Sequence, residues 1–119
     1  MRTDVSEAED MRALMEAAAT RGVHGDPARA ASDFIEVIDH WDRVGDWSQQ
    51  WLNLRYVTRF LNRVGAEDDA VALHRALLRA GKQSALSATQ TATLGDMPGD
   101  GLSGADAVVR ARSALSRYL

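Results

Sequence analysis

Three histidines, His24, His40 and His74, and no cysteine are what this chain offers to a metal ion or a nucleophilic mechanism. Without thiolates there is no disulfide, no zinc–thiolate site and no cysteine nucleophile. His40 lies beside Asp39 and one helical turn from Glu36, a spacing that would let neighbouring side chains share a metal. The same spacing also serves i,i+4 support on a solvated helix face, and that reading places Glu36/His40 and Asp39/Arg43 on the outer surface of one helix. His24 falls in a turn, and His74 falls on an inner helix face as a packed, hydrogen-bonded core residue. Asp39, Asp42 and Asp46 gather near His40, but Asp46 is placed to cap a helix and Asp39 to pair. Nothing sets two carboxylates across a cleft for acid–base work. The serines and threonines between 84 and 93 show no nucleophile-elbow pattern, and no G-x-x-x-x-G-K-[ST] loop is present to cradle phosphate. The expectation is a protein without catalysis, cofactor or metal.

The aromatic residues are the second chemical resource. Trp41, Trp47 and Trp51 all fall in the run WDRVGDWSQQWLNLRYVTRFLNRVG, with Tyr56 and Phe60 close behind. Read as a helix over 47–64, this run places Trp47, Trp51, Leu54, Thr58 and Leu61 in one stripe. Val57 and Val64 widen the stripe, while Leu52, Tyr56 and Phe60 lie behind it. A helix that is apolar on more than one face is covered by more than one neighbour, so this one is central. Its polar strip is Ser48, Arg55, Arg59 and Asn62, of which Arg55, Arg59 and Asn62 are candidates for an interaction groove. Trp47, Trp51 and Tyr56 are, in a rival reading, the walls of a small-molecule pocket. The preferred expectation is that the tryptophans are core, so that truncating Trp47 or Trp51 costs ~3–5 kcal/mol.

The elements that position these residues are helical throughout. The chain is 45% hydrophobic and only 6% aromatic, with two prolines, the profile of an all-α domain. Its net charge of −3 gives no footprint for direct contact with nucleic acid or an anionic membrane. No apolar run reaches the ~18 residues of a membrane span, and the acidic start MRTDVSEAED does not read as a signal peptide, so the expected location is cytoplasmic. A first helix is expected over 4–21, capped by Asp4 or Ser6 and closed at Arg21-Gly22. Asp26 and Pro27 open a second helix that runs to Val44. Gly45 stops it and Asp46 caps the central helix. Gly65 repeats the stop before a fourth helix over 67–80. Residues 82–102 read as a Gly/Ser/Thr-rich linker with a short helix at 84–94, and a last packing helix covers 103–119, with Ser103 as its cap.

Two of these segments match after a shift of forty residues. G-D-P-A-R-A-A-S-D-F-I-E-V (25–37) aligns with G-A-E-D-D-A-V-A-L-H-R-A-L (65–77). Turn glycine, small residue (Ala30, Ala70), large residue (Phe34, His74) and a further apolar residue agree in register. That is the second half of a tetratricopeptide-like hairpin, with Leu14 and Leu54 as the partner positions on the first helices. Residues 1–81 are then two such hairpins, in a repeat longer than the usual period of about 34 residues. Trp41, Gly45, Gly65, Ala30 and Ala70 are its structural positions.

The run I-D-H-W-D-R-V-G-D-W-S-Q-Q-W-L-N-L-R (38–55) resembles a segment near the C-terminus of large actinobacterial regulators of the LuxR/AfsR type, which are signal-transduction ATPases. Trp41, Gly45, Asp46, Trp47, Gln49, Gln50, Trp51, Leu54 and Arg55 match the family pattern, and Ser48 stands where threonine is usual. G-A-D-A-V-V-R-A-R-S-A-L (104–115) is similar to the family's terminal Ala-rich helix. The resemblance implies a tetratricopeptide-like region with a scaffold role, separate from the ATPase and DNA-binding parts. The expected function is a regulatory protein-interaction module that binds a protein or peptide. With only two hairpins it would leave an apolar flank that a homodimer could bury.

Overall fold

The computed structural model of the protein describes residues 4–82 and 103–119. Five helices fill them: α1 Asp4–His24, α2 Pro27–Val44, α3 Trp47–Arg63, α4 Glu67–Arg79 and α5 Gly104–Ser116. No strand occurs among the described residues, so the fold is all-α. The linker expected over 82–102, with its short helix, lies outside the described residues except for Lys82.

Local chemistry sets most boundaries. Asp26 accepts from Ala28 N–H at 3.1 Å ahead of Pro27, and Asp46 accepts from Gln49 N–H at 3.2 Å. Ser103 accepts from Asp106 N–H at 3.2 Å, so α5 starts as its sequence predicts. Gly45 (φ 72°) and Gly65 (φ 89°) take the left-handed conformation that ends α2 and follows α3. The first helix departs from expectation. It runs three residues past Arg21 to His24, and Gly22 is a buried contact inside it rather than its stop. A Cβ on Gly22 would stand 3.4 Å from both Phe34 and Phe60. The terminal carbonyls of α1 are served from outside, because Arg63 of α3 donates to Gly22 O at 2.7 Å and reaches Arg21 O and Gly25 O.

Packing follows the hairpins: α1 lies on α2, α3 on α4, and α3 also packs against α1 and α2. The close-approach alanines Ala30 and Ala70 are fully buried, and Phe34 and His74 are buried in the matching slots. The equivalence of Leu14 and Leu54 does not extend to burial. Leu54 is in the core, whereas Leu14 is half-buried and Met15 and Ala18 take the inner position on α1.

Helix α5 packs against α2, α3 and α4. Its inner face is Ala107, Val108, Ala111, Ala114 and Leu115, and the three alanines let it sit close. Arginines on its flanks fasten it at both edges. Arg112 pairs with Asp39 of α2 at 3.0 Å, and Arg110 and Arg117 both hold Asp69 of α4. Tyr118 closes edge-on over Phe60 with ring centroids 5.8 Å apart.

The tryptophans divide rather than vanish together. Trp41 is buried at 1% exposure, Trp51 is half-buried, and Trp47 is 38% exposed. The expectation that Trp47 is core is therefore corrected. Trp47 stands at the first turn of α3, where α2 has already ended, and Trp51 (5.8 Å between centroids) and Gly104 at the start of α5 lie against it. A Cβ on Gly104 would meet Trp47 Cζ3 at 2.9 Å and Trp51 Cζ2 at 3.3 Å, which ties the two motifs of the sequence to one contact. Trp41→Ala should cost ~3–5 kcal/mol by chemical denaturation, and Trp47→Ala only about 1–2 kcal/mol. Equal losses for the two would contradict this assignment of core and rim.

Candidate functional site

Burial takes most of α3 out of consideration as a surface. Leu54, Val57, Phe60 and Leu61 are core, and so are three polar residues: Gln50, Asn53 and Thr58. Thr58 hydroxyl donates to Leu54 O at 2.7 Å, and Gln50 Nε2 donates to Ile38 O at 3.0 Å, stitching α3 to α2. Trp41 Nε1, Gln50 Oε1 and both amide atoms of Asn53 are buried without a hydrogen-bond partner. Unpaired buried groups of this kind cost ~1–3 kcal/mol each, so these polar atoms are not there for stability. The burial of Gln50 and Asn53 was not expected from the sequence, although Gln50 shares the inner stripe with Leu54 and Val57 by three- and four-residue steps.

What remains in reach of solvent on α3 is its polar strip, with Arg59 exposed and Arg55 and Asn62 half-buried. A cleft lies on each side of it. Between α1 and α3, a cleft of about 260 Å³ is lined by Thr20, Gly22 and His24 from α1 and by Tyr56, Arg59 and Phe60 from α3. Between α3 and the end of α4, a cleft of about 180 Å³ is lined by Ser48, Trp51, Leu52, Arg55, Leu77 and Lys82. Each has an aromatic or aliphatic floor and a basic group at its rim. No carboxylate lines either one.

The proposed pocket of Trp47, Trp51 and Tyr56 is not assembled as one wall. Trp51 lines the α3–α4 cleft and Tyr56 the α1–α3 cleft, because positions 51 and 56 are five residues apart and face opposite sides of α3. Trp47 lines neither. Arg55 and Arg59, the interaction candidates, are likewise split between the two clefts, one in each. Arg55 Nε is buried without a partner, as is Arg75 Nη2, and Arg55 makes no hydrogen bond or ion pair with the described residues.

The histidines are placed differently from expectation. His40 is buried at 4% exposure, not on an outer face. Its ring stands edge-on to Trp41 at 4.7 Å, and its Nδ1 lies 3.1 Å from Arg43 Nη2 and 3.6 Å from Glu7. Arginine has only donors, so Nδ1 accepts there. The reason for the difference is α1, whose Glu7 covers this face and takes Arg43 at 3.0 Å. Asp39, expected to pair with Arg43, turns to Arg112 instead, and Glu36 is exposed. Asp69 lies in the first turn of α4. It is buried, in the same stripe as Leu73 and Leu77, and anchors Arg110 of α5 and Arg117 just past its end.

No group of three or more His, Asp or Glu that could hold a metal occurs among the described residues. None of their helices is long and apolar enough to cross a membrane. Comparison of the chain with protein-family models, with curated proteins and with solved structures finds no match.

His74 is buried on the inner face of α4. Burial lowers its pKa below the ordinary 6.5, and the neighbouring Arg75 charge lowers it further. The folded state thus disfavours the protonated ring, and the unfolded chain binds the extra proton. The contribution is fully present above 6.5 and declines as pH falls below it. Between about pH 7.5 and 5.5 the wild type should lose more thermal stability than His74→Gln, read as the difference in Tm between the two proteins. Parallel Tm curves would show that His74 titrates as it does in water.

Proposed function

We propose that the protein is a non-catalytic helical-repeat module that binds a partner protein through an acidic, partly apolar segment laid along α3. The observation that carries this reading is the pair of clefts flanking the Arg55–Arg59–Asn62 strip. Each joins an apolar floor to a basic rim with no competing carboxylate. An extended segment with alternating acidic and apolar side chains matches that surface in charge and spacing.

The packing order supports a tetratricopeptide-like stack in which α1 and α3 are first helices and α2 and α4 second helices. α1 meets α2 and α3, and α3 meets α2 and α4. Helix α5 departs from a third repeat. It bridges α2 and α4 on the side of the second helices, as a cap that covers what would otherwise be an open flank. The resemblance of residues 38–55 and 104–115 to LuxR/AfsR-type regulators makes a regulatory scaffold the reading of choice within this class. A homodimer belongs to the same proposal, with exposed Leu78 and Trp47 among the apolar residues left for it.

The sensor reading is weaker, since its three aromatic residues do not line a common cleft. A display library of short peptides decides between partner classes. Acidic–apolar sequences should be enriched, should lose affinity as salt rises, and should bind the Arg55→Glu/Arg59→Glu double variant at least about tenfold more weakly, or ~1.4 kcal/mol. Enrichment of basic sequences, or binding indifferent to the double variant, would overturn the proposal.

A further inference from the structure

Resting on that reading, we propose that the α3–α4 cleft is a carboxylate subsite. Arg55 recognises an acidic side chain of the partner segment while Trp51, Leu52 and Leu77 hold the apolar residue beside it.

Ser48, Trp51, Leu52 and Arg55 recur at three- and four-residue steps, so they form one continuous face of α3 opposite Leu77 and Lys82. The wall is hydrophobic and the two charged groups on it, Arg55 and Lys82, are both cations. Arginine side chains elsewhere on the protein are mostly committed: Arg21 to Asp33, Arg43 to Glu7, Arg110 and Arg117 to Asp69, Arg112 to Asp39. Arg55 has no such commitment among the described residues, and its buried Nε–H has no acceptor. Because Nε is itself buried, a partner carboxylate meets the guanidinium at its Nη groups, where a charge-assisted, forked hydrogen bond completes a half-buried cation in an apolar wall. Ser48 adds a hydroxyl at the mouth. A volume of about 180 Å³ holds a carboxylate and a short aliphatic group but not a nucleotide or a folded surface. The sequence pattern around Arg55 in the resemblance, W-x-x-L-R, acquires a physical reading here: tryptophan supplies the floor and arginine the charge.

The test uses the full chain labelled with ¹⁵N and two capped tripeptides, acetyl-Leu-Glu-Leu-amide and acetyl-Leu-Gln-Leu-amide, with hexanoate as a free-acid probe. The Glu peptide should shift the amide signals of residues 48–55 and of Leu77, together with the Arg55 Nε–H, in a saturable way at roughly millimolar concentration. The Gln peptide should bind at least about tenfold more weakly. Arg55→Gln should abolish the preference for Glu, while Arg59→Gln leaves it in place. Arg55→Lys keeps the charge but loses the fork, so a partial loss there separates recognition from folding. Equal binding of the Glu and Gln peptides, or a Glu preference that survives Arg55→Gln, overturns the subsite. Hexanoate binding without tripeptide binding overturns the assignment to a partner segment. If library peptides still depend on Arg59 in either of these cases, only the subsite has failed and the interaction module stands.

Discussion

Helix α3 is in contact with all four other described helices, and the rest of the arrangement follows from that constraint. A helix covered by α1, α2, α4 and α5 must be apolar on several faces, which is why Leu54, Val57, Phe60 and Leu61 are all removed from water although they do not form one narrow stripe. The same covering leaves a single solvated edge. Ser48, Arg55, Arg59 and Asn62 are polar because that edge has no helical neighbour. Function on this helix is therefore confined to the edge and to the clefts where its neighbours diverge.

Helix α5 is held by different physics. Its buried face is mostly alanine, which contributes little transfer free energy per residue but lets the backbones approach. Orientation comes instead from the margins. Asp69 is nearly buried between Arg110 of α5 and Arg117 just past its end, while the Asp39–Arg112 pair stands in water, its hydrogen bond and charge raising the arginine pKa. Exposed pairs contribute little, so the Asp69 cluster is the stronger determinant of where α5 sits. Gly104 against the Trp47 and Trp51 rings fixes the other end, since a side chain there would collide with Trp47.

Local chemistry was legible in the sequence, and it gave the helix starts at Asp26-Pro27, Asp46 and Ser103 and the glycine stops at Gly45 and Gly65. Those features depend on neighbours a few residues away. The four residues aligned by the forty-residue shift, Ala30, Ala70, Phe34 and His74, are all buried. Two of the misreadings arise from contacts distant in sequence, and the third from a helix end. His40 looked external because nothing nearby shows that Glu7, some thirty residues earlier, folds over it. Gly22 looked like a terminus because its contacts are Phe34 and Phe60, and Arg63 supplies the carbonyl partners that prolong α1. Trp47 looked like core because a helical wheel has no ends, whereas a first-turn residue has half the neighbours of a central one. The clefts were half-legible: Arg55, Arg59, Trp51 and Tyr56 were singled out, but their division between two clefts depends on where α1 and α4 lie.

A central helix whose buried faces hold the domain together also carries the edge proposed to meet a partner. Native-state hydrogen exchange tests this arrangement most directly, because protection reports how much structure must open to expose each amide. The amides of residues 51–61 should exchange slowest in the protein, through global unfolding, and at rates matching the stability measured by denaturation. Exchange in that stretch through local opening, faster than in α1 or α2, would contradict the central position of α3 and with it the surface built on its edge.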